Sequence, residues 1–278
     1  MNGKAFEGKV AIVTGGGRGI GREVALKFAS QGASLVINDL DEAAANEVAV
    51  EVRAKGGNAR VVAGSISAAG FPEQAVSCAN DELGGLDIIV NNAGYTWDGV
   101  IQKMTDEQWD AMIDVHLKAP FRLLRAAYPV IRARVREEQE RGVRVVRKII
   151  NVSSVSGVYG NAGQSNYSSA KAGIIGLTKT LAKEWGRLNV TVNCVAFGLI
   201  HTRLSGDVTN ESTVKIEGRD MKVGINSAVR ASVEKSIPLG RGGTPEEGAG
   251  AIYLFAIPES DYVSGQLLEC SGGLSGFH

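Results

Sequence analysis

Short apolar runs alternate along this chain with longer segments in which apolar residues recur at helical spacing. The short runs are rich in β-branched residues and predict strands, whereas the longer segments predict helices that bury one face. The predicted strands cover residues 10–14, 35–37, 59–63, 86–90, 149–152, 190–195 and 266–269. This regular alternation predicts an α/β fold, with helices packed against a sheet of buried strands.

Composition indicates a globular protein without a charge bias. Of the 278 residues 44% are hydrophobic, and thirty acidic residues balance thirty basic ones, which disfavours nucleic acid and membrane surfaces as partners. No apolar run approaches the ~18 residues of a membrane span, and the N-terminus lacks the form of a signal peptide. Three scattered cysteines lack metal-ligand spacing, so reduced thiols and no metal are expected. We expect one soluble, cytoplasmic domain over residues 1–278.

A glycine-rich turn, TGGGRGIG, joins the first predicted strand to the first predicted helix. Its spacing is T-G-x-x-x-G-x-G rather than the plain G-x-G-x-x-G. A strand, a glycine turn and a helix in this order bring backbone N–H groups and a helix N-terminus against a pyrophosphate. The alternative is a tight turn with only a structural role. The residues of the turn predicted to bind the cofactor are Gly15, Arg18, Gly19, Ile20 and Gly21.

The choice of cofactor depends on the end of the second predicted strand. Asp39 follows Gly15 by 24 residues, close to the ~20 expected for an acid that binds the adenosine ribose hydroxyls. A 2′-phosphate beside this carboxylate would be repelled by roughly 4 kcal/mol per unit charge at 4 Å and an effective dielectric of 20. Arg18 opposes this effect, and a turn residue at a strand end is the alternative for Asp39. NAD(H) is therefore predicted over NADP(H).

Ser154, Tyr167 and Lys171 stand in an order that suits proton transfer to a carbonyl group. Tyr167 and Lys171 are four residues apart, so on a helix they lie one turn apart on one face. An ammonium group lowers the pKa of a neighbouring phenol from its reference value of ~10. Ser154 follows an apolar run and is expected at the carboxyl end of a strand, where open α/β sheets bind ligands. Tyr-x-x-x-Lys alone also arises by chance on many helices.

With these motifs the chain resembles the short-chain dehydrogenase/reductase family, from Lys9 to Gly273. The resemblance implies a single doubly wound parallel sheet of the Rossmann type, with about seven strands. It also implies reversible hydride transfer between NAD(H) and a carbonyl or secondary alcohol. Tyr167 would be the acid–base group, Lys171 would lower its pKa and hold the nicotinamide ribose, and Ser154 would donate to the substrate oxygen.

Within the family, the segments GNAGQSNYSSAKAGIIG and IPLGRGGTPEE look most like 3-oxoacyl thioester reductases. Those enzymes reduce β-ketoacyl groups carried on acyl carrier protein or coenzyme A, and this placement is an analogy. A secondary-alcohol or steroid dehydrogenase is the alternative. A paralogue that binds nucleotide without turnover is an alternative of another class.

Relatives form four-helix interfaces, and the apolar helix after Lys171 predicts a homotetramer or at least a homodimer.

Further positions match the family pattern, and some depart from it. Ser65 replaces the usual acid beside the adenine, and His116 replaces an Asn that helps relay protons by way of the catalytic lysine. His116 is either a substitute in that relay, through a water, or a core residue with satisfied hydrogen bonds, and the sequence favours neither. Phe197 replaces the usual Pro, which predicts a ring near the nicotinamide side. Further cofactor contacts are predicted from Ile66, Asn92, Ala93, Gly94, Ile200 and Thr202.

Two segments differ from their surroundings in composition. Residues 132–148 are rich in both acids and bases, which predicts a solvated helix extension and a turn. Residues 203–237 are polar, weakly periodic and long for a connection, and loops over ~12–15 residues tend to be functional. By the resemblance, this second segment is expected to form a substrate lid.

Overall fold

The computed structural model describes residues 3–202, 213–216, 218–222, 224 and 226–274. Seven strands form one parallel sheet, and they are β1 Val10–Val13, β2 Ser34–Ile37, β3 Asn58–Val61, β4 Ile88–Asn91, β5 Arg147–Ser154, β6 Val190–Phe197 and β9 Leu267–Cys270. Their order across the sheet is β3-β2-β1-β4-β5-β6-β9. The predicted doubly wound sheet is confirmed, because the order reverses between β1 and β4 and helices cover both faces.

Helices connect the strands on both sides of the sheet. They are α1 Gly19–Ser30, α2 Glu42–Ala54, α3 Phe71–Ser77, α4 Asp106–Ile113, α5 Ala119–Glu140, α6 Val155–Tyr159, α7 Ser165–Trp185, α8 Ser227–Ser236 and α9 Pro245–Ala256. Apolar residues of α1, α2 and α9 pack on one face, and those of α3, α4, α5 and α7 pack on the other. None of the helices within the described ranges has both the length and the apolar character that crossing a bilayer requires.

Strand β1 shows why this sequence folds as a sheet buried on both faces. Ala11 and Val13 point into one hydrophobic cluster, and Val10 and Ile12 point into the other. All four side chains are at most 3% exposed. A strand covered on both sides has no polar face, so its sequence is a continuous apolar run instead of an alternating one.

The charged segment 132–148 is largely ordered, and part of it is buried. Helix α5 runs through it to Glu140, and strand β5 begins at Arg147. The guanidinium of Arg147 donates to both carboxylate oxygens of Glu138 and, through Nε, to the carbonyl oxygen of Leu86 at 3.1 Å. Both charged side chains are almost fully buried, so the expectation of a wholly solvated extension is wrong. Mutual neutralisation allows these charges to leave water.

Helix α4 is interrupted before α5 by a π-helical turn. A capping box of Thr105 and Gln108 begins α4, as the TDEQ sequence predicts. The π-helical turn then covers Asp114–Lys118 and carries His116. Such turns insert one residue into a helix and frequently occur at functional sites. The turn therefore directs the side chain of His116 towards the carboxyl end of the sheet.

The predicted lid lies partly outside the described residues, which omit 203–212. Beyond this gap, β7 Thr213–Ile216 and β8 Arg219–Lys222 pair antiparallel as a hairpin, and α8 follows. The sequence pattern did not indicate this hairpin. Ile216 packs into the hydrophobic cluster of α4 and α5, and Arg219 forms an ion pair with Glu107 at 2.7 Å.

Candidate active site

The predicted site residues gather where β1, β4, β5 and β6 end. Register places Ser154 beside Phe197, the last residues of β5 and β6. Helix α7, which carries Tyr167 and Lys171, packs against both of these strands. Side chains from distant parts of the chain thus meet at one edge of the sheet, as expected for an open α/β fold.

Ser154 and Lys171 are both held in place by backbone groups. The Ser154 hydroxyl accepts a hydrogen bond from the N–H of Ser156 at 3.2 Å and donates to the carbonyl of Phe197 at 3.4 Å. The Nζ atom of Lys171 donates to the carbonyl of Val152 at 2.8 Å. The same Nζ lies 5.6 Å from the centroid of the Tyr167 ring. The predicted catalytic serine and lysine are therefore fixed beside the predicted catalytic phenol.

Burial dominates the ionisation of the Tyr167 and Lys171 pair. Desolvation raises the pKa of Tyr167 to about 12, a hydrogen bond with Ser154 opposes this shift, and the charge of Asp98 adds to it. Desolvation lowers the pKa of Lys171 to about 8. The expectation that Lys171 brings the phenol pKa below its ordinary value is wrong for the protein residues alone, because desolvation of the buried phenol is the dominant effect. At neutral pH the phenol is protonated and the lysine is charged.

His116 lies against Tyr167 and is neutral. Its ring is 3% exposed, and its centroid lies 4.9 Å from that of Tyr167, with the two planes at 90°. Nε2 lies 2.6 Å from the carbonyl oxygen of Tyr95, so Nε2 carries the proton. Nδ1 has no hydrogen-bond partner among the described residues. Burial and the charge of Lys171 hold the pKa of His116 well below its usual value, so the ring does not become charged at neutral pH.

The NNAG segment after β4 is fastened to the end of β1 by Thr14. The Thr14 hydroxyl accepts hydrogen bonds from the N–H groups of Asn92 at 3.0 Å and Ala93 at 3.1 Å. The amide of Asn92 donates to the carbonyls of Thr14 and Gly15. These hydrogen bonds give Asn92 a structural part in the turn, beside its predicted contact with the cofactor. A Cβ atom on Gly94 would clash with the imidazole of His116, so this position accepts only glycine.

The glycine turn forms a cradle that suits a pyrophosphate. Gly15 and Gly19 have positive φ values of 63° and 53°, which side chains rarely adopt. A Cβ atom on Gly19 would stand 3.3 Å from Cγ2 of Thr202, so the turn and Thr202 face each other closely. No side chain in the described part of the chain caps the N-terminus of α1. Uncapped N–H groups beside small residues fit an anionic ligand, and the residues present therefore fit a dinucleotide.

Asp39 and Arg18, beside the glycine turn, form hydrogen bonds with different partners. Asp39 accepts hydrogen bonds from the N–H of Gly17 at 2.9 Å and the N–H of Asp41 at 3.1 Å. Arg18 instead donates to the carboxylate of Asp41 at 2.7 Å, in an exposed ion pair. This hydrogen bond raises the pKa of Arg18 and lowers that of Asp41. The charge of Arg18 is thus already matched by a carboxylate.

The remaining predicted cofactor contacts follow the carboxyl ends of β3 and β6. The Ser65 hydroxyl accepts a hydrogen bond from the N–H of Ser67 at 3.1 Å, and Ile66 is 8% exposed. Ile200 forms a bridge with Gly243, which fixes the segment leading to Thr202. The Phe197 ring is 6% exposed within the hydrophobic cluster below α1 and α9. The expectation that it approaches the nicotinamide side is therefore wrong, because the ring is packed into the core.

Sequence reasoning missed Asp98 and Gln164. Gln164 precedes α7, and its Nε2 donates to Oδ2 of Asp98 at 2.9 Å. After desolvation, the charge of Asp98 also raises the pKa of Tyr167, so this carboxylate lies within electrostatic reach of the phenol. The two residues are 66 positions apart, so no local spacing could have revealed the pair.

A model of the short chain dehydrogenase family matches residues 9–213, and the chain belongs to that family. It is an oxidoreductase of this class. The 3-oxoacyl-[acyl-carrier-protein] reductase of Vibrio cholerae is 37% identical over 269 residues, covering 97% of this chain and 98% of that protein. The reductase of the same name from Escherichia coli is 35% identical with the same coverage. The (2S)-[(R)-hydroxy(phenyl)methyl]succinyl-CoA dehydrogenase subunit BbsD of Thauera aromatica is 34% identical over 98% of each chain.

Proposed function

We propose that this protein reduces the ketone of 3-oxoacyl thioesters with NADH as the preferred cofactor. The observation that carries the proposal is the convergence of Ser154, Tyr167 and Lys171 on one cleft, beside a cradle that fits a dinucleotide. The names of the relatives support the substrate class. Two of them act on an acyl group held by acyl carrier protein and one on a coenzyme A thioester, so a thioester is common to all three.

The ionisation states of the site suit reduction. The substrate ketone would lie against the hydroxyls of Ser154 and Tyr167, which hydrogen-bond to the oxygen as negative charge develops there. Nicotinamide, when bound, supplies the hydride. Burial raises the pKa of Tyr167 to about 12, so at neutral pH it is a phenol and holds the proton that the new alcohol requires. Charged Lys171 would stabilise the phenolate that remains and bind the nicotinamide ribose.

We propose that His116 positions Tyr167 and does not itself transfer protons to substrate. Its Nε2 is committed to the carbonyl of Tyr95, and its pKa is too low for an imidazolium at neutral pH. Its ring edge instead supports the phenol ring from the side. Nδ1 would accept a hydrogen bond from a water, so His116 would position a water of the proton relay without carrying a proton itself.

The preference for NADH follows from the charges at the adenosine end. Asp39 keeps lone pairs for the two ribose hydroxyls, and its charge repels a 2′-phosphate. The one basic residue of the glycine turn, Arg18, is paired with Asp41. A 2′-phosphate would have to break this pair, although exposed pairs contribute only about 0–1 kcal/mol. Repulsion by Asp39 is thus the larger effect.

We also propose a homotetramer, or at least a homodimer. The large apolar residues of α7, on which the sequence-based expectation depended, are buried or half-buried. Large apolar side chains are exposed instead on α4 and α5, with Trp109 at 40% and Phe121 at 44%. Burial of such side chains against a second copy would stabilise an assembly by about 25 cal/mol per Å². Light scattering at micromolar concentration measures the molar mass, and a monomer would contradict the proposal.

A substrate panel tests the proposed reaction. Purified protein is given NADH or NADPH with acetoacetyl-coenzyme A, an acetoacetyl carrier protein, simple ketones or a ketosteroid, and oxidation of the cofactor is followed by absorbance. We expect the highest kcat/KM with a thioester and no turnover in Tyr167→Phe, which still binds nucleotide. Preference for a simple ketone or steroid would overturn the thioester assignment. Nucleotide binding without any turnover would instead identify a non-catalytic paralogue.

A further inference from the structure

A line of hydrogen bonds runs from Asp98 to Ser154. Gln164 donates from Nε2 to Asp98 at 2.9 Å and accepts through Oε1 from the Ser156 hydroxyl at 3.0 Å. The N–H of Ser156 then donates to the Ser154 hydroxyl at 3.2 Å. Ser154 and Ser156 are both buried, whereas Asp98 is exposed. An accessible carboxylate is thus joined by three short contacts to a hydroxyl that would touch substrate.

The backbone holds Asp98 in place relative to α7. The N–H of Gly99 donates to the carbonyl of Gly163 at 2.8 Å, on the turn that leads into α7. The Asn166 amide donates to the carbonyl of Trp97 at 3.0 Å. The residues on both sides of Asp98 are therefore tied to the start of the helix that carries Tyr167 and to the turn before it. A carboxylate fixed in this way cannot easily move aside when a substrate enters.

We propose that Asp98 determines specificity by rejecting substrates with a free carboxylate beside the reacting ketone and admitting uncharged acyl derivatives. The inference rests on the proposed reduction of a 3-oxoacyl group. A thioester and its parent 3-oxo acid differ at the carboxyl carbon near the ketone, where the acid carries a negative charge. Two like charges roughly 6–12 Å apart, at an effective dielectric of 20, disfavour binding about tenfold to a hundredfold.

The other ionisable groups near Tyr167 supply no negative charge. Lys171, on the same helix, is charged, and its Nζ donates to the neutral carbonyl of Val152. His116, from the π-helical turn, is neutral because its pKa is well below the usual value. Arg219 stacks over Trp97 at 5.5 Å, and its charge is matched by Glu107. Of these groups Asp98 is therefore the one that adds negative charge near Tyr167.

The first experiment uses Asp98→Asn, which removes the charge and retains an oxygen for Gln164. The matched control is Asp110→Asn, the same charge change at an exposed position of α4. Reduction of acetoacetate and of its neutral ethyl ester is measured for each protein. We expect Asp98→Asn to raise kcat/KM for acetoacetate at least tenfold and to change that for the ester less than threefold. An unchanged ratio of the two would overturn the proposal.

A second experiment needs no turnover and separates this inference from the proposed reaction. Tyrosinate absorbance is titrated in the unmodified protein and in Asp98→Asn. Each protein is also titrated in a form that carries Tyr167→Phe. The difference between the two absorbance curves gives the titration of Tyr167. With Asp98→Asn we expect the phenol to titrate lower by on the order of one pH unit, and with Asp110→Asn we expect no change.

The outcomes of the titration are distinct. A phenol that titrates equally in the unmodified protein and in Asp98→Asn shows that the Asp98 charge does not reach the site, and it overturns the inference. The inference is also overturned if the phenol of Asp98→Asn titrates lower and this variant reduces the ester but still does not reduce acetoacetate. A shift without reduction of any substrate would refute only the proposed reaction.

Discussion

The backbone of Gly94 lies directly against the imidazole of His116. A Cβ atom on Gly94 would overlap the ring and stand 2.7 Å from Nδ1, well inside contact distance. The same imidazole meets the ring of Tyr167 edge-on, with 4.9 Å between the ring centroids. One glycine of the NNAG segment thus sets the position of a histidine, which in turn supports the proposed acid–base phenol.

Gly94→Ala is expected to displace His116 and with it Tyr167. Overpacking of this kind costs about 1–3 kcal/mol of unfolding free energy, and a small shift of a catalytic group lowers kcat by about tenfold to a hundredfold. Urea unfolding and steady-state kinetics measure the two effects. In a His116→Ala background the same substitution should cost at least about 1 kcal/mol less, because the clash is gone. Gly99→Ala is the control, since its Cβ would make only ordinary contacts.

Much of the fold could be predicted because both faces of the sheet are buried. That burial requires continuous apolar runs, and these runs are visible in the sequence without any knowledge of partners. The glycine turn and the order Ser154, Tyr167, Lys171 were visible for a similar reason. Each depends on local geometry, either a φ value that favours glycine or two side chains one helical turn apart.

Features that depend on distant partners could not be predicted. Arg147 was expected in solvent because its neighbours are charged, yet it is buried against Glu138. The pKa of Tyr167 was expected below its usual value from the spacing to Lys171 alone, whereas desolvation by the folded chain raises it. A sequence shows which charges are close along the chain but not how much water the fold removes from them.

The buried pair of Arg147 and Glu138 gives a prediction for stability. Arg147→Met leaves the carboxylate of Glu138 buried without its partner, and removing one member of such a pair costs about 3–5 kcal/mol. The double variant with Glu138→Leu should recover most of this loss, because no charge remains to be desolvated. Urea unfolding of the wild type, both single variants and the double variant measures these free energies. A double variant no more stable than Arg147→Met would contradict the argument.

Cofactor preference can be tested by releasing Arg18 from its ion pair. Asp41→Ser removes the partner of Arg18 and still caps α2, where Asp41 accepts a hydrogen bond from the N–H of Ala44. We expect kcat/KM with NADPH to rise about threefold to tenfold while that with NADH stays nearly constant. Adding Arg18→Ala should abolish the gain, and Glu42→Gln should show none. An NADPH preference in the unmodified protein would show that Asp39 does not dominate.

Lys171 is expected to reduce stability at neutral pH although the proposed reaction requires it. Burial lowers its pKa in the folded protein to about 8, from an ordinary value of 10.5. Between these values the unfolded chain binds more protons than the folded one, so the free energy of unfolding rises with pH. The full change is about 3 kcal/mol, and most of it is gained between about pH 8 and pH 10. Tyr167 lowers the free energy of unfolding as pH rises, but only above its ordinary pKa of 10.0, because burial raises its pKa in the folded protein to about 12.

Lys171→Met should therefore abolish turnover without loss of stability at pH 7. The hydrogen bond to Val152 is lost, at about 1 kcal/mol, but the larger cost of burying an ammonium group disappears as well. The rise in unfolding free energy between pH 8 and pH 10 should be smaller in this variant by about 2 kcal/mol. Lys179→Met, at an exposed lysine of the same helix, controls for the charge change. Parallel curves of unfolding free energy against pH for Lys171→Met and the wild type would contradict this argument. They would show that burial does not lower the pKa of Lys171.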